Sequence, residues 1–326
     1  MIKFGTLGAA DITPQALIYP CINEPKASVT VMAARDQQRA NGFAMFHHIQ
    51  EVVGGYQEVI ESAHCNAVYN PLPISHHKDW TIRALQAGKH VLCEKSLACN
   101  TEQAIDMNQA AKQSGLILMD AFHYRYHPLF EAAREIYQSG ELGKIQTISA
   151  IFSISGSPPA SDIRMNYDTA GGVTMDIGCY PISWLRHLTD TEPEVVSAEA
   201  ITGPKYVDIM LEARLSIPGN IEAKIVGDMR PKGKFQAEIE VIGEQGTMTV
   251  RNPLAPQMGH VIETNIDGKR SFLTVDRRPT YCYQLDAFLK AVESGKEPLT
   301  NGDDAVKQMQ VIDRCYELAG LPLRGI

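Results

Sequence analysis

The chain has 326 residues, about twice a typical single domain, so two domains are expected. Its 30 basic and 38 acidic residues give a net charge of −8 without a basic arm, which argues against a DNA or RNA partner, because that binding rests on clustered Lys and Arg. No apolar run approaches the ~20 residues that span a bilayer, so no membrane partner is expected either.

The N-terminus shows no charged region followed by an apolar stretch and a cleavage site. The seven cysteines are scattered, with no C-x-x-C pair, and read as reduced thiols, which places the chain in the cytoplasm. With 44% hydrophobic and 21% charged residues the composition is that of a globular protein with a sizeable core.

Ile2 to Leu7 reads as a short strand. Gly5-Thr6-Leu7-Gly8-Ala9-Ala10 then closes it and opens a helix-like stretch to about Ile22. The pattern is a variant of G-x-G-x-x-G, with Gly5 and Gly8 as turn glycines and Ala10 in place of the last glycine. Small residues let the backbone approach a pyrophosphate, and a helix N-terminus offers N–H groups and a positive dipole end. A glycine turn without a ligand is the plain alternative.

Ala27 to Ala34 is a second strand-like run, followed by Arg35-Asp36. An acid here would bind the ribose 2′-hydroxyl of NAD, whereas Arg accommodates the 2′-phosphate of NADP. Arg35, with Arg39 one turn later, favours NADP over NAD, since paired guanidiniums recognise a dianionic phosphate. An ordinary solvated loop of mixed charge is the alternative.

Ala67–Asn70, His90–Cys93 and Leu116–Met119 are further short apolar runs, with amphipathic segments at 56–63, 76–88 and 101–114 between them. This alternation predicts a parallel sheet wrapped on both faces. His90–Cys93 leads straight into Glu94-Lys95. In open α/β sheets ligands bind beyond the carboxyl ends of strands, so Lys95 is placed to meet a substrate hydroxyl or a ribose. A surface ion pair is the competing reading.

After about residue 143 the texture changes to consecutive strands: 145–155, 194–202, 207–217, 221–228, 237–242 and 247–250. Turns at 218–220, 243–246 and 267–269 predict a mostly antiparallel sheet. The tail, 280–319, returns to helical spacing. His47-His48 and His76-His77 do not form a ligand set, so no metal site is expected. There is no G-x-S-x-G elbow for a serine hydrolase.

Gly5–Ile12, Ala87–Ser96 and Asp176–Tyr180, in that order, resemble the Gfo/Idh/MocA family of NAD(P)-dependent sugar and polyol oxidoreductases, over essentially the whole chain. Asp120-Ala121-Phe122-His123-Tyr124-Arg125-Tyr126-His127-Pro128, with Tyr180, is similar to the dihydrodiol and D-xylose dehydrogenase branch. The resemblance implies an N-terminal Rossmann domain over 1–122. It implies a C-terminal α/β domain over 123–326 with a large, mostly antiparallel open sheet, whose C-terminal helices pack back on the first domain. The open sheet would make a homodimer or homotetramer. The proposed site draws on both halves.

The resemblance also assigns roles. Lys95 and Tyr180 match the family's catalytic pair, and Asp176 lies in its substrate pocket. Cofactor contacts are implied for Gly5, Gly8, Ala9, Ala10, Asp11 and Ile12 in the turn, and for Arg35 and Arg39 after the second strand. Asn70, Pro71, Leu72 and His77, then Glu94, Lys95 and Arg125, complete that set. The small-molecule substrate, a sugar, polyol or cyclic diol, would meet Lys95, His123, Arg164, Asp176 and Tyr180. The sequence departs from the family pattern at Ser96, where the family has Pro, at Ile74, where it has Asn, and at Asp120, where it has Glu.

The Lys–Tyr pair makes chemical sense. Oxidising an alcohol removes the hydroxyl proton as hydride leaves carbon. A phenol titrates near ~10, and a neighbouring ammonium stabilises its phenolate. Taken without the resemblance, Tyr180 reads as a core aromatic, Asp176 as a helix N-cap and His127-Pro128 as a helix start. A non-catalytic NAD(P)-binding regulator is the alternative function. Lys95 and Tyr180 argue for the enzyme, Ser96 and Ile74 for the regulator.

Overall fold

The structure is a computed structural model and describes residues 1–325. It divides into two compact units, Met1–His123 with Tyr281–Val306, and Tyr124–Thr280 with Lys307–Ile326. The first boundary falls at His123/Tyr124, and the segment Tyr281–Val306 belongs to the first unit.

The first unit is built on a six-stranded sheet: β1 (Ile2–Leu7), β2 (Ala27–Ala33), β3 (Glu51–Val52), β4 (Ala67–Asn70), β5 (His90–Cys93) and β6 (Leu118–Asp120). The spatial order is β3-β2-β1-β4-β5-β6, and every neighbouring pair is parallel. That is the doubly wound dinucleotide-binding order, with its crevice where β1 and β4 diverge. β4 is buried throughout and β5 from Val91 on. Their short apolar runs suit a sheet covered on both faces.

Helices α1 (Tyr19–Ile22), α2 (Gln37–His47), α3 (Tyr56–Glu61), α4 (His77–Gln86) and α5 (Thr101–Ser114) connect the strands. α5 shows why its limits were legible: Asn100 caps it by accepting from the Gln103 N–H at 3.0 Å, and Gly115 ends it in the left-handed conformation. The strand expected at 116–119 is found at Leu118–Asp120, because the Leu116 N–H still serves the helix end by donating to the Ala111 carbonyl. α2 escaped the sequence reading because only Ala40 and Ala44 of its face are buried, too little for a periodic signal.

The second unit opens with α6 (Pro128–Gln138), which follows His127 as its N-cap. Its sheet contains β7 (Ile145–Ser153), β8 (Glu194–Thr202), β9 (Asp208–Ile217), β10 (Ile221–Asp228), β11 (Gln236–Gly243), β12 (Gly246–Arg251), β13 (Val261–Ile266) and β14 (Lys269–Leu273). The order is β14-β13-β12-β11-β7-β10-β9-β8, antiparallel except for the parallel β7–β10 pair. β13 and β14 were not expected as strands. All five residues of β14 are exposed, so it carries no period-two burial pattern.

One face of this sheet packs against α7 (Cys179–Thr189), which is buried on all sides from Cys179 to Leu188. The other face carries charge pairs such as Lys224–Glu212 (2.8 Å) and Arg251–Glu238 (3.2 Å). Helices α8 (Thr280–Ser294) and α9 (Gly302–Leu318) form the tail. In the first unit, α8 sets Phe288 against Phe4 of β1, with ring centroids 5.3 Å apart.

Candidate active site

Gly5 and Gly8 turn out to do different jobs. Gly8 sits past the end of β1 with φ +103°, and its N–H donates to the Ala33 carbonyl at 2.7 Å. A side chain there would be strained. Gly5 lies inside β1, and a Cβ on it would come within 2.5 Å of Val59 Cγ1 and 3.1 Å of Cys65 Sγ. Close packing of α3 on β1 therefore requires glycine at position 5. Gly5→Ala should destabilise the protein by about 1–3 kcal/mol through overpacking and leave the Kd for NADPH unchanged in the folded fraction. A denaturant titration paired with a fluorescence binding titration checks both.

The residues after Gly8 are small and buried or half-buried: Ala9, then Ala10. The Thr13 hydroxyl, fully buried, has no hydrogen-bond partner. A left-handed glycine, two alanines and an orphaned hydroxyl fit the close approach of a dinucleotide pyrophosphate. Asp11, Ile12 and the π-helical turn Pro14–Ile18 follow and run directly into α1.

Beyond β2, Arg35 is exposed. Asp36 accepts from the Arg39 N–H at 3.0 Å and so caps α2. The acid that would read an NAD ribose is thus spent on a helix cap. Arg39 reaches back to the glycine turn, donating to the Ala9 carbonyl (2.7 Å) and to Asp11 (3.0 Å). Tyr56, which sequence reasoning missed, accepts from the Arg35 backbone N–H, and its hydroxyl would lie 4.0 Å from a Cβ on Gly8. Burial raises its pKa.

Asn70 and His77 brace the segments that follow β4 and β5. Asn70 is fully buried. Its amide donates to the His77 carbonyl (3.3 Å) and Thr81 Oγ1 (3.2 Å), and its Oδ1 accepts from the Leu72 N–H. His77 is also fully buried, with Nε2 2.7 Å from the Leu72 carbonyl and Nδ1 3.0 Å from that of Ser96. Burial pushes its pKa down to about 4, so the ring is neutral at neutral pH and carries a single N–H. His77 ties the Pro71-Leu72 loop to the segment after β5. Leu72 in turn lies beside Gly8, 3.5 Å from where a Cβ would stand.

At the carboxyl end of β5 the backbone of Glu94 donates to the Asn70 carbonyl (3.0 Å), and its carboxylate accepts from Tyr69 at 2.6 Å. Burial raises the pKa of Glu94, opposed by the Tyr69 bond and by Lys95. Asp120, at the end of β6, is raised well above the usual range by burial and by Asp304 and Glu94, while the Lys95 charge opposes the rise. Lys95 therefore stands in the field of two buried acids. The Lys95–Ser96 peptide is cis. His123 stacks on Tyr281 with centroids 4.1 Å apart.

In the second unit, Arg125 is 8% exposed, lies over the Phe130 ring at 5.5 Å, and leaves Nε and Nη1 without hydrogen-bond partners. A buried guanidinium with spare donors has capacity for a ligand oxygen. His127, by contrast, accepts from the Leu129 N–H at 3.1 Å and caps α6, as the plain reading of His127-Pro128 has it.

Arg164 Nε meets Asp176 Oδ2 at 3.0 Å and Arg164 Nη1 meets Asp162 Oδ2 at 3.1 Å. The two carboxylates raise the Arg164 pKa further. Asp176 lies within the π-helical turn Thr174–Gly178, not at its cap, and its N–H donates to the Gly172 carbonyl at 3.0 Å. The turn passes into α7, where Tyr180 is 5% exposed among Phe152, Tyr124 and Trp184, with centroids at 5.8, 6.2 and 6.2 Å. Tyr180 is thus an aromatic core residue whatever else it does. Among the described residues no group of His, Cys, Asp and Glu could hold a metal, and no helix is long and apolar enough to cross a membrane.

Residues 2–122 match the model of the oxidoreductase family with an NAD-binding Rossmann fold, and residues 130–249 match the GFO/IDH/MocA C-terminal domain. The chain is 31% identical over 319 residues to a D-xylose 1-dehydrogenase (NADP(+)) of Haloferax volcanii, covering 98% of this chain and 97% of that one. It is 32% identical over 197 residues to a trans-1,2-dihydrobenzene-1,2-diol dehydrogenase of Xenopus laevis, covering 60% and 59%. The crystal structure of KijD10, a 3-ketoreductase from Actinomadura kijaniata in complex with NADP and TDP-benzene, matches with a TM-score of 0.91 at 28% identity over 97% of each chain. With a parallel sheet wound in the dinucleotide-binding order, followed by a mostly antiparallel sheet unit, the chain is an oxidoreductase that belongs to the GFO/IDH/MocA family.

Proposed function

We propose that the chain is an NADP-dependent dehydrogenase or reductase acting on a hydroxyl or carbonyl of a sugar, polyol or cyclic diol. The observation that carries the reading is Lys95 at the carboxyl end of β5, in a parallel sheet whose glycine turn, orphaned Thr13 hydroxyl and exposed Arg35 suit a phosphorylated dinucleotide. A bound nicotinamide supplies the hydride chemistry; the protein handles the proton and orients the substrate. Tyr180 takes the hydroxyl proton in oxidation and returns it in reduction. Lys95, which lies near Glu94 and Asp120, stabilises the phenolate. Asp176, paired with Arg164, accepts a hydrogen bond from a substrate hydroxyl. We place the enzyme in the cytoplasm as a homodimer or homotetramer through the open face of its second sheet, where half-buried Ile151, Met210, Val226 and Ile242 lie among the charge pairs.

Reduction and oxidation assays with NADPH and NADP+ against D-xylose, D-glucose, myo-inositol, D-fructose and a dihydrodiol test the reading. Tight NADPH binding without turnover of any of them would favour a regulator. Arg35→Ala should weaken NADPH binding by about 10- to 100-fold, the loss of one charge-assisted phosphate contact, with NADH binding little changed. Equal affinity for NADPH in the variant would remove Arg35 from the phosphate site.

A further inference from the structure

Near the end of the described chain lies a fully buried charge pair of the second unit. Arg324 and Asp208, both fully buried, meet at 2.7 Å. Arg324 also donates through Nε to the Gly171 carbonyl (2.8 Å) and through Nη1 to the Pro322 carbonyl (2.9 Å). Its guanidinium lies over the rings of Tyr316 (4.2 Å) and Tyr167 (5.1 Å). Tyr167 in turn donates to the Leu323 carbonyl at 2.5 Å.

Asp208 uses its other oxygen on the segment that carries the candidate catalytic residues. Oδ2 accepts from the Thr174 N–H (2.8 Å) and the Thr174 hydroxyl (2.6 Å), while Oδ1 accepts from Tyr316 as well as from Arg324. The approach requires glycine at two consecutive positions. A Cβ on Gly172 would lie 2.1 Å from Asp208 Oδ1 and 3.0 Å from Arg324 Nη2, and one on Gly171 would lie within 2.7 Å of three backbone carbonyls. Gly172 also has φ +132°. Directly after these contacts come Asp176, whose N–H binds the Gly172 carbonyl, and Tyr180.

We infer that the Arg324–Asp208 pair is a positioning device for the reaction: the C-terminal tail clamps Gly171, Gly172 and Thr174 and so sets where the π-helical turn presents Asp176 and Tyr180. This rests on the reading of Tyr180 and Asp176 given above. A buried ion pair is a poor way to gain stability, since desolvation offsets most of its attraction. It is a good way to fix one geometry, because its bonds are directional and charge-assisted. A displacement of about 1 Å at the reacting group can cost on the order of 100-fold in rate.

The test is steady-state kinetics of Arg324→Lys, Arg324→Ala and Thr174→Val with NADP+ and the panel compound turned over fastest, at a temperature where circular dichroism shows each variant folded. The expected result is a kcat lowered about 10- to 100-fold with the Kd for NADPH within about twofold of wild type. Millimolar methylguanidinium should restore part of kcat to Arg324→Ala, without effect on wild type or on Tyr180→Phe. Wild-type kcat in folded Arg324→Lys and Thr174→Val, with only a lower unfolding midpoint, would overturn the inference and leave the pair a stabilising one. Should Arg324→Ala not fold, those two milder variants carry the decision. Undiminished turnover in Tyr180→Phe would instead remove the underlying reading of the site, so the two failures are distinguishable.

Discussion

Tyr180→Phe is expected to lower kcat by about 10²- to 10⁴-fold, the range that loss of a general acid–base group costs, and to leave NADPH affinity nearly unchanged. The phenyl ring keeps the packing against Phe152, Tyr124 and Trp184, so the variant removes the hydroxyl and little else. That makes it a clean probe of whether this buried aromatic moves a proton or only fills the core. Single-turnover kinetics with NADPH preloaded separates the two. A defect confined to the chemical step supports the proton role, and near-normal turnover would return Tyr180 to the core.

Asp208→Ala should cost about 3–5 kcal/mol of stability, the loss seen when one member of a buried ion pair is removed and the other charge stays behind. Four donors converge on this carboxylate, from the Thr174 backbone and hydroxyl, Tyr316 and Arg324. All would lose their acceptor at once, and a buried unsatisfied donor loses more than a hydrogen bond contributes. Urea unfolding followed by tryptophan fluorescence suits the measurement, because Trp184 lies buried in the same unit. Asp208→Asn, which keeps the shape but not the charge, should fall between wild type and Asp208→Ala. A loss below about 1 kcal/mol in Asp208→Ala, the size of an exposed pair, would show that the surroundings relax to hydrate Arg324.

The two residues differ in how they stand out in the sequence. Tyr180 is marked as a candidate by the local pattern Asp176-Ile177-Gly178-Cys179-Tyr180. Asp208 and Arg324 are not, because they stand 116 residues apart and neither lies in a motif. The same split runs through the glycines. Gly5 and Gly8 look alike in the sequence, yet Gly8 has left-handed backbone and Gly5 sits in a strand against Val59. Only the position of α3 tells them apart.

Asn70, His77 and Asp36 follow the same logic. Each has the right chemistry and the right place in the chain for a cofactor contact. Asn70 and His77 turn polar atoms inward, to Thr81 and to the Leu72 and Ser96 carbonyls, while the exposed Asp36 caps α2 through the Arg39 N–H. Buried polar atoms must find partners, and which partner is nearest is decided by the packing of loops that are distant in sequence.

The two-part organisation was already present in 326 residues of changing texture, and so were the parallel sheet, the antiparallel one and the family. Length, period and local motifs are properties of the chain alone, and they set which elements form and which chemistry is available. The negative balance of charge argued against nucleic acid, and it is compatible with a dinucleotide site because the positive groups at Arg35 and Arg39 are local. The tertiary structure decided what local motifs leave open: which glycine turns and which packs, which polar side chains brace their neighbours, and that the tail reaches Gly171, Gly172 and Asp208 beside the candidate segment. Those outcomes depend on contacts between residues far apart in the chain, where close packing and the need to satisfy every buried polar group leave a single arrangement.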